Sequence, residues 1–299
     1  MSSTGCRKIG IVILNYKSYL DTEILVKELL SQETPHELII QIVDNASPNE
    51  SYTYLKDKLG NIPNVYIHAN SENSGFAKGN NVGLRLLESF SPDYALVLNN
   101  DVHFDISLLD KLVTVYERID DAGAMAPLQQ YPSGEVDCKT LVLPGFLHDV
   151  LSYTYMFSKR QRCALTFKEN CSHVAVRRVD VIPGCFVFIS YDLFRNVGFF
   201  SEDTFLFCEE RFLARKLKDA GRSSYLLLDC SFIHDHSKTI NSEVALLKQL
   251  RMMHDGKLAY TRAYRHFPTV KVAVLRCMWA YQNCRIRTMA FLRRLFRSC

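Results

Sequence analysis

Short apolar runs alternate with amphipathic stretches through the first half of the chain, the rhythm of βα units around a mainly parallel sheet. The apolar runs 9–14, 38–43, 65–67 and 94–98 are predicted strands. Between and after them the spacing predicts helices over about 18–31, 49–60, 77–90 and 106–119, each opened by Ser, Asn or Asp residues able to cap free N–H groups. Every strand ends in a polar cluster, and in an open α/β sheet the carboxyl ends of the strands form the ligand crevice. These clusters are therefore expected to converge. From about 128 to 180 the periodicity fades into an irregular region rich in Tyr, Phe and Lys. Order returns with a strand over 181–190, a helix over about 205–220 stopped by Gly221, and a strand over 224–228 that leads to His234. From about 241 the chain reads as helical to its end. The expected division is a domain over 1–240, with 128–180 as a candidate acceptor region, and a helical extension over 241–299.

Composition sharpens this picture in two ways. At 299 residues and 47% hydrophobic, the chain buries an ample core, yet it holds no apolar run of membrane-spanning length and no secretory leader pattern. A cytoplasmic protein is expected. The net charge of +4 is uneven, because residues 271–299 carry seven basic side chains and no acidic one. The remainder is slightly negative, which argues against nucleic acid as a partner. The ten cysteines form no C-x-x-C pair and no zinc-finger spacing, so they are expected to be reduced, packed thiols.

Five polar clusters carry candidate chemistry. In VILNYKS (12–18) and IVDNAS (42–47), Asp44 at a strand end can accept the imide N–H of a uracil or thymine ring, or can simply cap the next helix through an Asx turn. In NSGFAKGNN (73–81), two glycines, a lysine and a following helix can bring backbone N–H groups and a cation to a diphosphate, or the glycines can serve only to turn the chain. Neither a Rossmann nor a P-loop fingerprint is present. In LVLNNDV (96–102), Asn99 and Asp101 lie two residues apart, a spacing suited to magnesium or manganese. In the helix expected over 205–221, Leu206, Glu210, Leu213 and Leu217 share one stripe. That stripe predicts a buried Glu210 whose raised pKa suits a general base, with Glu209 on its flank as a structural ion-pair candidate. In SFIHDHS (231–237), His234 and His236 at i and i+2 can face one site as metal ligands, or His236 can touch phosphate.

Taken in order, these segments, together with PGCFVFIS (183–190) and GFFSEDTFLFCEE (198–210), resemble the bacterial family 2 glycosyltransferases, in particular their rhamnosyltransferase-like branch. The resemblance spans about 9–125 and 181–237. It implies a GT-A fold: a Rossmann-like, mainly parallel central sheet flanked by helices, here with a C-terminal helical extension. It also implies inverting, single-displacement transfer of a hexose or deoxyhexose from a UDP- or dTDP-linked donor. Asn15 and Asp44 would lie nearest the base, with Asn73, Gly75, Lys78, Asn80 and Asn100 around the ribose and diphosphate. Asp101, helped by Asn99 and His234, would hold a divalent cation, Mg2+ or Mn2+. Glu210 would take the proton of the acceptor hydroxyl, Glu209 would position acceptor or base, and Gly184 and Cys185 would line the floor. The pattern departs from the family in its Glu-Glu pair, in Phe212 two positions on, and in the asparagine that opens the metal motif.

The acceptor implied is a glycan or lipid-linked hydroxyl. If 285–297 is helical, Met289, Phe291, Leu292, Leu295 and Phe296 fill one arc and Arg287, Arg293, Arg294 and Arg297 the opposite one. This suits either an interfacial helix on an anionic membrane, with the enzyme peripheral on the inner face, or a helix docked on the domain. Two other functions share the crevice. A sugar-phosphate nucleotidylyltransferase would want a glycine-rich, Arg-containing loop where Asn15 to Ser18 stand. A catalytically inactive binding module would have no need of Asp44, Asp101, Glu210 and His234 together.

Overall fold

The computed structural model describes residues 5–136, 142–154, 175–235 and 243–297, with side chains omitted at 243–245 and 290–297. Nine strands form one sheet: β1 (Lys8–Asn15), β2 (Glu37–Asp44), β3 (Val65–Ala69), β4 (Tyr94–Asn99), β5 (Val102–His103), β6 (Ala122–Gln130), β7 (Val176–Val179), β8 (Phe186–Ser190) and β9 (Ser223–His234). Their order is β3-β2-β1-β4-β8-β6-β9-β5, with β7 also on β9. The half built from β3, β2, β1 and β4 is parallel, as the βα rhythm predicts. Beyond β4 the sheet is mixed, because β8 runs antiparallel to both β4 and β6 while β6 and β9 are parallel. β1 and β4 are continuous apolar runs because helices cover both of their faces, and Ile11, Val12, Leu96 and Val97 are wholly buried.

The covering helices are α1 (Tyr19–Ser31), α2 (Ser51–Leu59), α3 (Phe76–Leu86), α4 (Ser107–Tyr116), α5 (Phe146–Leu151), α6 (Tyr191–Asn196) and α7 (Glu209–Asp219), followed by α8 (Glu243–Tyr264) and α9 (Pro268–Arg297). α3 lies unusually close to the sheet. A Cβ on Gly79 would come within 2.6 Å of Leu14, and one on Gly83 within 2.6 Å of Val12. Only glycine lets the polar N-terminus of this helix sit directly over the ends of β1 and β2.

Four differences from the sequence expectations bear on the site. A two-residue strand, β5, follows β4 and pairs antiparallel with the end of β9. The strand expected over 181–190 begins only at Phe186, after the Pro183-Gly184 turn. The helix expected from 205 begins at Glu209, because Phe207 and Cys208 both take φ 75, a left-handed conformation that ends helical continuity. The C-terminal helix is two helices, broken where Phe267 has φ 52 and Pro268 opens α9. Part of the irregular middle is ordered as the end of β6, α5 and β7; residues 137–141 and 155–174 lie outside the described residues.

α8 and α9 pack on α5 and α7. Leu258, Val272 and Leu275 form a small core with Tyr153, and Phe212 of α7 meets Tyr260 and Tyr264 edge to face. Beside it Asp149 of α5, 1% exposed in its side chain, accepts from Arg211 of α7 at 2.8 Å and Arg265 at 2.7 Å.

Candidate active site

The ends of β1, β2 and β4 meet in a closed hydrogen-bonded network. Asn15 and Asp44 are register partners on adjacent strands, and Asn15 donates from Nδ2 to Asp44 Oδ2 at 2.7 Å. The Ser47 amide and hydroxyl donate to the two Asp44 oxygens at 2.9 and 2.7 Å, so the Asx turn is formed. Thr22 donates to Asn15 Oδ1, and Asn100 donates to Thr22 Oγ1 and to the Ser18 carbonyl. Asn15 and Asp44 are buried, at 0% and 2% exposure. Of the groups expected at the nucleotide, Asn15 and Asn100 spend their amides on this scaffold.

The NSGF loop is tied in two directions. Asn45 donates to Asn73 Oδ1 at 2.9 Å and to the Gly75 carbonyl at 3.2 Å, anchoring the loop to β2. On the other side the Phe76 amide donates to the Phe205 carbonyl at 2.8 Å. Gly75 has φ 88, and a Cβ there would fall 2.2 Å from that same carbonyl oxygen. Asn81 clamps the next stretch, donating to Phe200 O and Glu202 Oε1 and accepting from the Phe200 amide. Lys78 projects from the exposed side of the first turn of α3. Asn80, expected beside the diphosphate, instead turns inward: it is wholly buried and donates to the Phe76 carbonyl.

Asp101 and His234 are brought together by β5. Its pairing places Val102 opposite His234, and the Asp235 amide donates to the Asp101 carbonyl at 3.0 Å. His234 Nε2 then stands 3.0 Å from Asp101 Oδ1 and 3.5 Å from Asn99 Nδ2. Asp101 Oδ1 is nevertheless shut from solvent and accepts no hydrogen bond of good geometry. A buried acceptor left unmade is costly, and an oxygen and an imidazole nitrogen this close can share one divalent cation. Gln129 contacts the other ring nitrogen, Nδ1, at 3.3 Å. It does so through its amide nitrogen, while its Oε1 accepts from Cys185 Sγ at 3.6 Å, so the side chain bridges His234 and the floor turn. Among the described residues no three His, Cys, Asp or Glu side chains gather at one point. Asp101 and His234 thus supply an incomplete shell that other oxygen ligands would have to fill. His236 lies outside the described residues.

The acid pair follows the left-handed turn at Phe207 and Cys208. The turn removes Leu206 from the expected stripe, and the buried face of the helix is the i, i+3, i+4 set Glu209, Phe212 and Leu213, so Glu209 is the buried carboxylate, at 5% exposure, and Glu210 is half-buried. The buried, raised carboxyl is therefore Glu209 and not Glu210. Glu209 accepts from Thr204 at 3.1 Å, and burial, then the charge of Glu210, pushes its pKa up to about 7. Glu210 faces the floor turn: its Oε2 is 4.0 Å from the Cβ position of Gly184. Cys185 is buried, its carbonyl accepting from the Asn99 amide at 3.0 Å.

Because the folded pKa of Glu209 is raised, the folded state binds its proton more tightly, and stability falls as pH climbs from about 4.5 to about 7. Glu209→Gln is accordingly expected to match the parent near pH 4 and to exceed it by roughly 2–3 kcal/mol at pH 8. Denaturant titration at the two pH values checks this; equal differences at both would contradict it.

A continuous line of contacts now joins groups far apart in sequence. Hydrogen bonds run from Asp44 through Asn15 and Thr22 to Asn100, the chain neighbour of Asp101, and from there His234, Asn99 and the Cys185 carbonyl follow at contact distance, with Glu210 beside the adjoining Gly184. Thr22, Asn45, Asn81 and Gln129 belong to this machinery yet stand out in no motif by themselves. Asn45 and Asn81 lie inside the quoted clusters; Thr22 and Gln129 gave no signal.

The family model of glycosyl transferase family 2 matches residues 10–185. An N-acetylglucosaminyl-diphospho-decaprenol L-rhamnosyltransferase of Mycobacterium tuberculosis is 24% identical over 228 residues, 72% of each chain. Among solved structures, a mannosyltransferase of Pyrobaculum calidifontis in complex with GDP-Man and Mn2+ superposes with a TM-score of 0.58 at 13% identity, over 97% of this chain and 81% of that one. S. aureus TarS 1–349 in complex with UDP-GlcNAc gives 0.53 at 14% identity, over 90% and 70%. At such identities the two structures speak to the fold, and it is the GT-A arrangement. With more than half of its length matched by the family model, this chain belongs to glycosyl transferase family 2 and is a glycosyltransferase.

Proposed function

We propose that the enzyme moves a hexose or deoxyhexose from a UDP- or dTDP-linked donor to a hydroxyl of a lipid-linked or polysaccharide acceptor, with inversion at the anomeric carbon. The observation that carries this reading is Asp101 Oδ1, buried and without a hydrogen bond, 3.0 Å from His234 Nε2, in a site where Glu210 lies beside the Gly184 turn. Asp101 and His234, with Asn99 beside them, would hold a divalent cation. When bound, such an ion neutralises charge on the departing diphosphate. Lys78 and the free N–H groups at the start of α3 would receive the same diphosphate. The remaining Asp44 lone pair would accept from the base, Asn15 holding that carboxylate in place.

In the single displacement, the acceptor oxygen bonds to the anomeric carbon as the bond to the diphosphate oxygen breaks. Glu210 takes the hydroxyl proton and Glu209, fixed by Thr204, positions it. The lipid-linked acceptor draws support from the mycobacterial relative, whose name specifies a diphospho-decaprenol acceptor. Among the described residues no helix is long and apolar enough to cross a membrane.

Thermal-shift measurements with UDP, dTDP and GDP, with and without Mn2+, test the donor side, followed by sugar transfer with the matching donors. Stabilisation by one nucleotide that requires the cation, and that Asp101→Asn reduces by at least about tenfold in apparent affinity, is the expected result. Cation-independent binding untouched by Asp101→Asn would refute the metal assignment, and binding without turnover would make the chain an inactive module.

A further inference from the structure

α9 is apolar on two opposite faces. At 3.6 residues per turn, Val272, Leu275, Trp279 and Gln282 share the face turned to the protein, where Val272 and Leu275 enter the small core and Trp279 stacks on His254 at 5.0 Å. The opposite face is in solvent. Val270, Val274, Cys277, Tyr281 and Cys284 lie on it, all exposed, Val270 at 65% and Tyr281 at 52%. Ala273, Ala280 and Thr288 complete this arc and are exposed too. No charged residue interrupts it over about 27 Å of helix.

Arg276 and Arg287, both exposed, follow one edge of this arc; half-buried Arg285 stands at the other, Lys271 lies back over the Phe146 ring at 5.4 Å, and no acidic residue occurs anywhere in α9. A solvated helix normally carries its polar residues on the side away from the core. Here that side is apolar and cationic at its borders. Two copies laid face to face would bring the exposed Arg276 and Arg287 of each toward the other with no carboxylate of α9 between them, which disfavours self-association. An acidic, planar, apolar-backed surface satisfies both features at once.

We infer that the outward face of α9 docks on an anionic lipid bilayer, the arc entering the headgroup boundary and the exposed Arg276–Arg287 edge meeting lipid phosphates. The inference deepens the proposed function, resting on it only for the lipid-linked acceptor; the surface itself is read from α9. Because α8 packs on the turn before Glu209, with Gly256 against Cys208 and the Phe207 carbonyl, docking of the α8–α9 unit would hold the acid pair near the lipid plane.

The test is co-sedimentation of the full chain with phosphatidylcholine vesicles containing phosphatidylglycerol, against phosphatidylcholine alone, without donor present. Parent protein should prefer the anionic vesicles by about tenfold or more and lose that preference in high salt. Val274→Glu with Tyr281→Glu should lower binding at least about tenfold. Arg276→Ser with Arg287→Ser should lower only the anionic preference, while Ile24→Glu, on an exposed side of α1, should bind like the parent. Nucleotide-induced thermal shifts should be the same in all variants, so a failed donor assignment is told apart from a failed docking face. Parent that ignores vesicles, or a Val274→Glu, Tyr281→Glu protein that binds them equally, overturns the inference. A lipid-free dimer that the same pair of substitutions dissociates assigns the face to a second copy and overturns it as well.

Discussion

Glu210→Gln is expected to lower the turnover of sugar transfer by roughly 10²- to 10⁴-fold, the range for loss of a positioned general base, the role proposed for it. The replacement keeps the size of a half-buried side chain, removes its ability to take a proton, and leaves the Asp101–His234 pair untouched. Nucleotide affinity should therefore stay within about twofold while kcat collapses, because the lost interaction develops only as the acceptor oxygen attacks. Initial rates at saturating donor and acceptor check this. Unchanged kcat would remove Glu210 from the chemistry and pass the role to another group. Glu209→Gln makes the informative contrast, since a buried positioning residue should cost less in kcat.

Asp149→Ala should destabilise the fold by about 3–5 kcal/mol, the largest loss of stability expected from a single side chain here. Its carboxylate is the shared acceptor of Arg211 and Arg265 in a buried setting, and truncation leaves two guanidinium groups facing each other with no counterion. Equilibrium urea unfolding measures the loss, and a change below about 1 kcal/mol would show that water takes over the role. Activity should fall with it even where the protein remains folded, because Arg211 directly follows Glu210 and sets how α7 sits on α5.

The parallel half of the sheet is legible in sequence because β1, β2 and β4 are buried on both sides and so appear as apolar runs, broken in β2 only by Gln41, that end in polar residues. The same local logic located the polar clusters. It could not say which way their side chains point, and Asn15 and Asn80 prove to bond to the scaffold. The acid pair was misjudged for an instructive reason: Phe205, Leu206, Phe207 and Cys208 fit a helical apolar spacing, yet the Phe205 carbonyl is claimed by Phe76 and two left-handed residues follow. The helix therefore starts later, and Phe212, packed on Tyr260 and Tyr264 far along the chain, draws Glu209 into the buried face in place of Glu210. Asp149 carried no signal for a similar cause. Its partners stand 62 and 116 positions away, and no local window contains them.

The hydrogen bond from the Phe76 amide to the Phe205 carbonyl, with Gly75 flush against it, has a mechanical meaning. The NSGF loop and the segment that leads into the acid pair are joined there, so a shift of one is transmitted to the other. On the proposed function, a donor bound at the loop would meet the acid pair at a spacing set by this bond. Any side chain grown at Gly75 would act as a wedge in that joint, prising the whole reaction geometry open from a position that touches neither substrate nor proton.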